Sequence, residues 1–319
     1  VPAMYNDEAI IPALCNRGLT LADARNYCII GCVEPQKAAK TEGWHDAAFF
    51  NMCRPLELVF SNGVDQNVQI GPATGEVSAM RTFDDFFNAY KAQMNYMIAL
   101  MVNADNAIDV AHAERAPLPF LSSMIEDCIG RGKSVQEGGA IYNFTGPQGF
   151  GIANMADSLY AVKTLVYEKQ LCSMTDLKDA LIHNFGRGIP EKKAKELTEK
   201  VVEQVYRMGK TVPEAGIRSI YQALLQGSGD PAQKAKYDHI LELIDNLPKF
   251  GNDLGEIDAF AREVAYTYTK PLETYKNPRG GTYQAGLYPV SANVPLGAQT
   301  GATPDGRLAY TPVADGVSP

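Results

Sequence analysis

The run Cys28-Ile29-Ile30-Gly31-Cys32-Val33-Glu34-Pro35 decides how this sequence is read. Apolar residues lead into a glycine and the run closes on a proline, so a short strand ends in a tight loop. Gly31 permits a sharp turn or a close approach by another loop, and Pro35 stiffens the exit. Between them stand a thiol, Cys32, and a carboxyl, Glu34. Two apart in extended backbone, both side chains point to one side. A carboxylate beside a buried thiol raises the thiol's pKa, because two anions there repel. Cys32 is therefore expected to stay protonated, which suits hydrogen-atom chemistry and suits thiolate attack poorly. From these residues alone two readings stand: a packed turn with a surface glutamate, or a thiol–carboxyl pair that does chemistry.

Outward from this loop, residues 1–7 read as a strand end running into a loop, and Thr20 reads as the cap of a helix with Asp23 in its first turn. Residues 46–60 carry a helical pattern with Pro55 as a kink and Gly63 as terminator. A long helix starts near Asp84, with Phe86, Tyr90, Met94, Met97 and Met101 on one face as core. Gly138–Phe144 reads as a buried strand. Pro190 opens a helix that Gly209 ends, with Ala194, Leu197, Val201, Val205 and Met208 as its expected core face. Further helices are expected after Asp230-Pro231 and over about 256–268, and Leu287–Ser291 is strand-like. Long helices between short apolar strands predict an α/β class with buried strands.

The composition removes several functions. With 319 residues, 45% of them hydrophobic, the chain can bury a large core; its formal charge is −8. An acidic balance argues against a nucleic-acid partner, which would require clustered Lys and Arg. No run approaches the length of a membrane span, and the first residues lack the pattern of a signal peptide. The start at Val1 is read as an internal point of a longer chain. The six cysteines include no C-x-x-C pair and no zinc spacing, so reduced thiols in a cytoplasmic setting are expected.

Gly31-Cys32-Val33-Glu34-Pro35-Gln36 resembles the cysteine loop of the large lyase branch of the glycyl radical enzymes. Three more stretches resemble that family in the same order: Gly43-Trp44-His45-Asp46-Ala47-Ala48-Phe49-Phe50-Asn51, Gly138–Phe144, and the tail from Asn277 onward, including Pro278-Arg279-Gly280-Gly281 and Gly301-Ala302-Thr303-Pro304-Asp305-Gly306-Arg307. The resemblance implies a helix-rich α/β fold that is part of a ten-stranded α/β barrel. It makes 1–319 one region, the middle-to-late part of that barrel, with 186–254 as a helical insertion on the periphery. Cys32 becomes the transient thiyl radical and Glu34 the group that moves a substrate proton. The family's late Arg-Val-x-Gly-(Tyr/Phe) motif does not occur in these residues. The resemblance therefore implies a radical glycine elsewhere in the polypeptide and no cofactor bound to this chain. It also implies an activating enzyme that uses S-adenosylmethionine and an iron–sulfur cluster.

Within the family, Asp46 stands fourteen residues after Cys32, where the glycerol and propane-1,2-diol dehydratases place a carboxylate on a substrate hydroxyl. A plain helix cap remains the alternative reading of His45-Asp46. Arg279, followed four residues on by Tyr283, lies near where the sulfonate lyases hold a substrate arginine, since planar oxyanion recognition favours Arg. Tyr288 and Val290 are expected to line the pocket from the late strand. Radical dehydration of a small diol is the expected activity. C–S cleavage of a hydroxysulfonate such as isethionate and a non-catalytic, ligand-binding barrel half are the alternatives. The expected partners are a small polar substrate, the activating enzyme, the rest of the same polypeptide and a second copy in a homodimer. The expected location is the cytoplasm of an anaerobe, with enclosure in a microcompartment left open.

Overall fold

The computed structural model describes residues 5–31, 33–227 and 229–317. Helix α1 (Asp7–Asn16) is capped by Asn6, whose side chain accepts from the Glu8 N–H at 3.0 Å. The strand end expected over residues 1–7 falls largely on residues 1–4, outside the described residues; Tyr5 and Asn6 are irregular, and the helix opens at Asp7 because an Asx cap followed by two acidic residues favours a helix start. Thr20 caps α2 (Leu21–Arg25) as its position predicts, accepting from Asp23 N–H. Strands β1 (Cys28–Ile30) and β2 (Glu34–Gln36) form an antiparallel hairpin, followed by β3 (Thr41–Trp44) and β4 (Phe49–Asn51).

Helix α3 begins only at Cys53 and runs to Phe60. Pro55 thus sits in its first turn, where no intrahelical N–H is missed, and makes no kink. After the short strands β5 (Val64–Asp65) and β6 (Val68–Gln69), α4 runs unbroken over Phe83–Arg115. Its buried seam takes Phe86, Tyr90 and Met94 as expected, then continues through Ile98 and Val102 in place of Met97 and Met101. Then follow α5 (Pro119–Met124), α6 (Cys128–Arg131), β7 (Tyr142–Thr145), β8 (Gln148–Phe150), α7 (Ile152–Ala161) and α8 (Met174–Ile182). The chain continues through α9 (Glu191–Arg207), α10 (Glu214–Gln226), α11 (Pro231–Asp245), α12 (Gly255–Leu272), β9 (Thr282–Tyr283) and α13 (Asn293–Gly297). Leu287–Ser291 forms no strand; the last sheet contact there is a parallel bridge from Gly286 to Gln148.

Two compact units result. One contains 5–50, Asn95–Gly149 and Tyr266–Tyr288; the other contains Asn51–Met94, Phe150–Ala265 and 289–317. The first is built on a parallel sheet in the order β3–β7–β9, with Trp44 opposite Thr145 and Thr145 opposite Tyr283. Alternation along the strands gives it two faces. Phe144 points to one face and packs with Leu14, Leu19 and Ala24 of the α1–α2 region. Trp44 and Tyr283 point to the other, toward the C-terminal part of α4. Trp44 meets His112 edge-on at 5.7 Å, and the Tyr283 hydroxyl donates to Asn106 Oδ1 at 2.8 Å. The strands are thus covered on both sides, as parallel sheets require.

Asp105 on α4 is a buried carboxyl in this first unit, 3% exposed, and its Oδ2 has no hydrogen-bond partner among the described residues. Burial, then the nearby Asp109, pushes its pKa from 3.8 up to about 7. A folded-state pKa above the unfolded value adds stability below pH 3.8 that is lost as pH rises through about 7. Asp105→Asn is therefore expected to stabilise the protein at pH 8 by about 4 kcal/mol and to do little near pH 4. Urea unfolding at the two pH values checks this, and equal effects at both would exclude the buried-acid account.

The second unit carries an aromatic stack of Phe83, Phe87, Tyr160 and Phe260. It also holds the α9–α10 pair. There Ala194 and Thr198 are buried, while Val201 is 41% and Met208 65% exposed, so the expected core face of α9 is only half used.

Candidate functional site

The β1–β2 hairpin buries its polar side. Glu34 and Gln36 lie on one face of β2 at 4% and 7% exposure, whereas Ile30 on β1 is 43% exposed. Burying a carboxyl and an amide in preference to an isoleucine costs stability unless the polar groups are hydrogen-bonded or paired, and both are held here. Gly31, at the turn, has φ +58°, and a Cβ there would come within 2.7 Å of Glu34 Oε2. Glycine therefore both makes the left-handed turn and leaves room for the carboxyl folded back beneath it. The Val33 N–H donates to Glu34 Oε2 at 2.9 Å. Cys32, between Gly31 and Val33, lies outside the described residues.

The hairpin is tied to the end of β3 through Gln36. Its Oε1 accepts from His45 Nε2 at 3.3 Å, which leaves His45 Nδ1 as an acceptor. Burial pushes the His45 pKa down to about 4, with Glu34 opposing and Arg17 and Arg279 adding to the fall. The imidazole is neutral at physiological pH. Asp46 follows at an exposed position, its pKa raised by partial burial and by the Glu34 charge. Tyr288 is half-buried; burial raises its pKa, Arg17 opposes, and Glu34 and Asp46 add to the rise. Glu34, His45, Asp46, Arg17 and Tyr288 thus share one electrostatic neighbourhood at the C-terminal ends of the three parallel strands, the end at which α/β folds place their ligands. Val290 belongs to the second unit.

Arg279 sits on the opposite face of the sheet and is 6% exposed. Its Nε donates to Asp109 Oδ2 at 2.9 Å and its Nη1 to the Glu42 carbonyl at 3.1 Å. Its Nη2 donates to the Phe144 carbonyl at 2.7 Å and to Thr145 Oγ1 at 3.0 Å. Each guanidinium nitrogen is engaged inside the protein, so Arg279 ties β3, β7 and α4 together. The loop carrying it is itself locked. Asn277 Oδ1 accepts from the Gly281 N–H at 2.9 Å, and a Cβ on Gly281 would stand 1.4 Å from the Asn143 carbonyl oxygen.

Two groups in this neighbourhood escaped the sequence reading. Arg17, just past α1, donates through Nη1 to Gln284 Oε1 at 3.0 Å. Gln284 is 5% exposed, and its N–H donates to the Thr145 carbonyl at 2.8 Å. The two side chains are 267 residues apart in sequence, and no local pattern joins them. A separate 360 Å³ cleft in the second unit is lined by Arg81, Tyr167, Gln170, Cys172, Ser173 and Met174 among others, and holds none of the residues above. Among the described residues no group of three or more His, Cys, Asp or Glu side chains is placed to hold a metal. None of their helices is long and apolar enough to cross a membrane.

Comparison with known proteins gives a consistent picture. A family model described as pyruvate formate lyase-like matches residues 1–297. A solved structure concerning 1,2-propanediol dehydration in Roseburia inulinivorans is 60% identical with a TM-score of 0.91, covering 100% of this chain and 38% of that one. The glycerol-bound B12-independent glycerol dehydratase from Clostridium butyricum is 50% identical with a TM-score of 0.83, covering 100% and 34%. The curated (2S)-3-sulfopropanediol dehydratase of Klebsiella oxytoca is 32% identical over 320 residues, 100% of this chain and 33% of that protein. The chain spans about a third of the length of the curated relatives it matches.

Proposed function

Because this chain belongs to the pyruvate formate lyase-like family, in the dehydratase branch of the glycyl radical enzymes, we propose that the full-length protein dehydrates a small vicinal diol such as propane-1,2-diol or glycerol. The helix-rich α/β fold is part of the barrel those enzymes share. The observation that carries the proposal is Glu34, a carboxyl 4% exposed, folded under a glycine turn two residues beyond Cys32. Asp46 and Tyr288, which lie in the same electrostatic neighbourhood, support it.

In this reading the Cys32 sulfur, as a thiyl radical, takes a hydrogen atom from the diol carbon that keeps its oxygen. Glu34 takes the proton of that carbon's hydroxyl. The hydroxyl on the neighbouring carbon departs and receives the proton from Glu34, leaving as water. The remaining carbon radical recovers a hydrogen atom from the Cys32 thiol, so a diol becomes an aldehyde plus water and both residues return to their starting states. Asp46 would hold one hydroxyl, since a site built around a hydroxyl rejects analogues that lack it. Arg279 acts as a tie between strands in this reading, in place of the substrate contact its sequence position suggested. The radical would come from a glycine in the rest of the polypeptide, installed by an activating enzyme using S-adenosylmethionine and an iron–sulfur cluster. An anaerobic cytoplasmic setting belongs to the same proposal.

The test is turnover by the activated full-length protein. Propanal from propane-1,2-diol, or 3-hydroxypropanal from glycerol, is the expected product. Cys32→Ala is expected to abolish it while the glycyl radical signal persists. Turnover surviving in Cys32→Ala, or acetaldehyde plus sulfite from isethionate with diols untouched, would defeat the assignment.

A further inference from the structure

We propose that Gln284 is a specificity-determining residue of this site: its side-chain amide donates a hydrogen bond to a substrate oxygen, and Arg17 fixes the orientation of that amide. The inference rests on the diol reading above and deepens it.

The orientation of the amide follows from chemistry. A guanidinium has only donors, so the amide atom that meets Arg17 Nη1 at 3.0 Å must be the oxygen. The NH2 group then faces away from Arg17. It has no hydrogen-bond partner among the described residues, although the side chain is 95% buried. A buried donor left unsatisfied is costly, and native proteins retain few of them.

The location follows from the sheet register. Trp44, Thr145 and Tyr283 stand opposite one another and point toward α4. The next residues, His45, Gly146 and Gln284, therefore turn to the other face, one step beyond the strand ends. The close approach there is direct: a Cβ on Gly146 would meet the His45 carbonyl oxygen at 3.1 Å and the Gln284 carbonyl oxygen at 3.5 Å. The amide of Gln284 thus emerges beside His45, on the face where Gln36 and Glu34 approach.

The ligand chemistry follows from what the neighbours lack. Glu34 and Asp46 as carboxylates only accept, and His45, whose Nε2–H is taken by Gln36, offers an acceptor. A diol that gives its hydroxyl protons to such groups keeps lone pairs in need of a donor. Gln284 supplies that donor.

The experiment compares wild type, Gln284→Glu and Gln284→Met in the activated full-length protein on propane-1,2-diol and glycerol. Glycerol binding to the unactivated protein is measured in parallel by calorimetry. Gln284→Glu keeps an acceptor for Arg17 and exchanges the donor for another acceptor. KM and the glycerol dissociation constant are expected to rise by about 10- to 100-fold, with kcat changed less and the radical signal unaltered. Gln284→Met removes both the donor and the acceptor for Arg17, so it is read against Arg17→Met if the first variant does not fold: a clearly larger loss of glycerol affinity in Gln284→Met supports the donor, and equal losses overturn it. If Gln284 only supports Arg17, Gln284→Glu keeps KM and glycerol affinity within about twofold of wild type, and the inference fails alone. A wild-type protein that neither binds nor converts a diol removes the proposed function and this inference together.

Discussion

Glu34→Gln is expected to lower kcat on a diol by about 10²- to 10⁴-fold, the usual contribution of a positioned acid–base group, while the glycyl radical signal stays at the wild-type level. The two side chains have nearly the same shape, and the amide can still accept the Val33 N–H that now reaches Oε2 at 2.9 Å. In the proposed mechanism, what is lost is the ability to take a proton from one hydroxyl and return it to the other. Radical yield by electron paramagnetic resonance and aldehyde formation, measured on the same preparation, separate the two accounts. If Glu34 merely packs the turn below Gly31, the glutamine variant will keep near-normal turnover.

The second large effect is on stability. Arg279→Met should cost about 3–5 kcal/mol, the range for removing one partner of a buried ion pair. The guanidinium is 2% exposed in its side chain and faces Asp109, 7% exposed, at 2.9 Å. Its loss leaves Asp109 without its ion-pair partner in the interior and removes the donors that reach the Glu42 and Phe144 carbonyls. Adding Asp109→Asn to that variant should recover part of the loss, because the stranded charge goes with it. Urea unfolding of the two single variants and the double variant gives the coupling energy. Strict additivity would mean that the pair does not hold the strands. Arg279→Lys is expected to rescue little, since one ammonium cannot replace a planar fork bonded to two strands and a helix.

The sequence was most informative where a local rule fixes the backbone. Gly31 between an apolar strand and a polar tip, Thr20 three residues before Asp23, and Asp230 before Pro231 all act as their chemistry predicts. It misled where two periods compete. Phe49-Phe50-Asn51 could continue a helix or alternate as a strand, and alternation wins, with Phe50 buried and Phe49 half exposed. Leu287–Ser291 is β-branched and aromatic enough for a strand, yet Pro289 cannot donate to a ladder and none forms. The fold was legible at the level of class and family because motifs are local. The site was legible only in part. Glu34 and Asp46 stand close to Cys32 in sequence, whereas Arg17 and Gln284 come together only through the closure of the sheet.

The same closure sets a timetable for synthesis. About 100 residues separate β3 from β7, and about 140 more pass before β9 can pair with β7. At roughly 5–20 residues per second on the ribosome, the nascent chain waits about 7–28 s with one edge of β7 uncovered. An open strand edge held that long invites pairing with another chain. Slow translation between the codons for Thr145 and Thr282 should therefore favour aggregation, and holdase chaperones should be most useful during that interval.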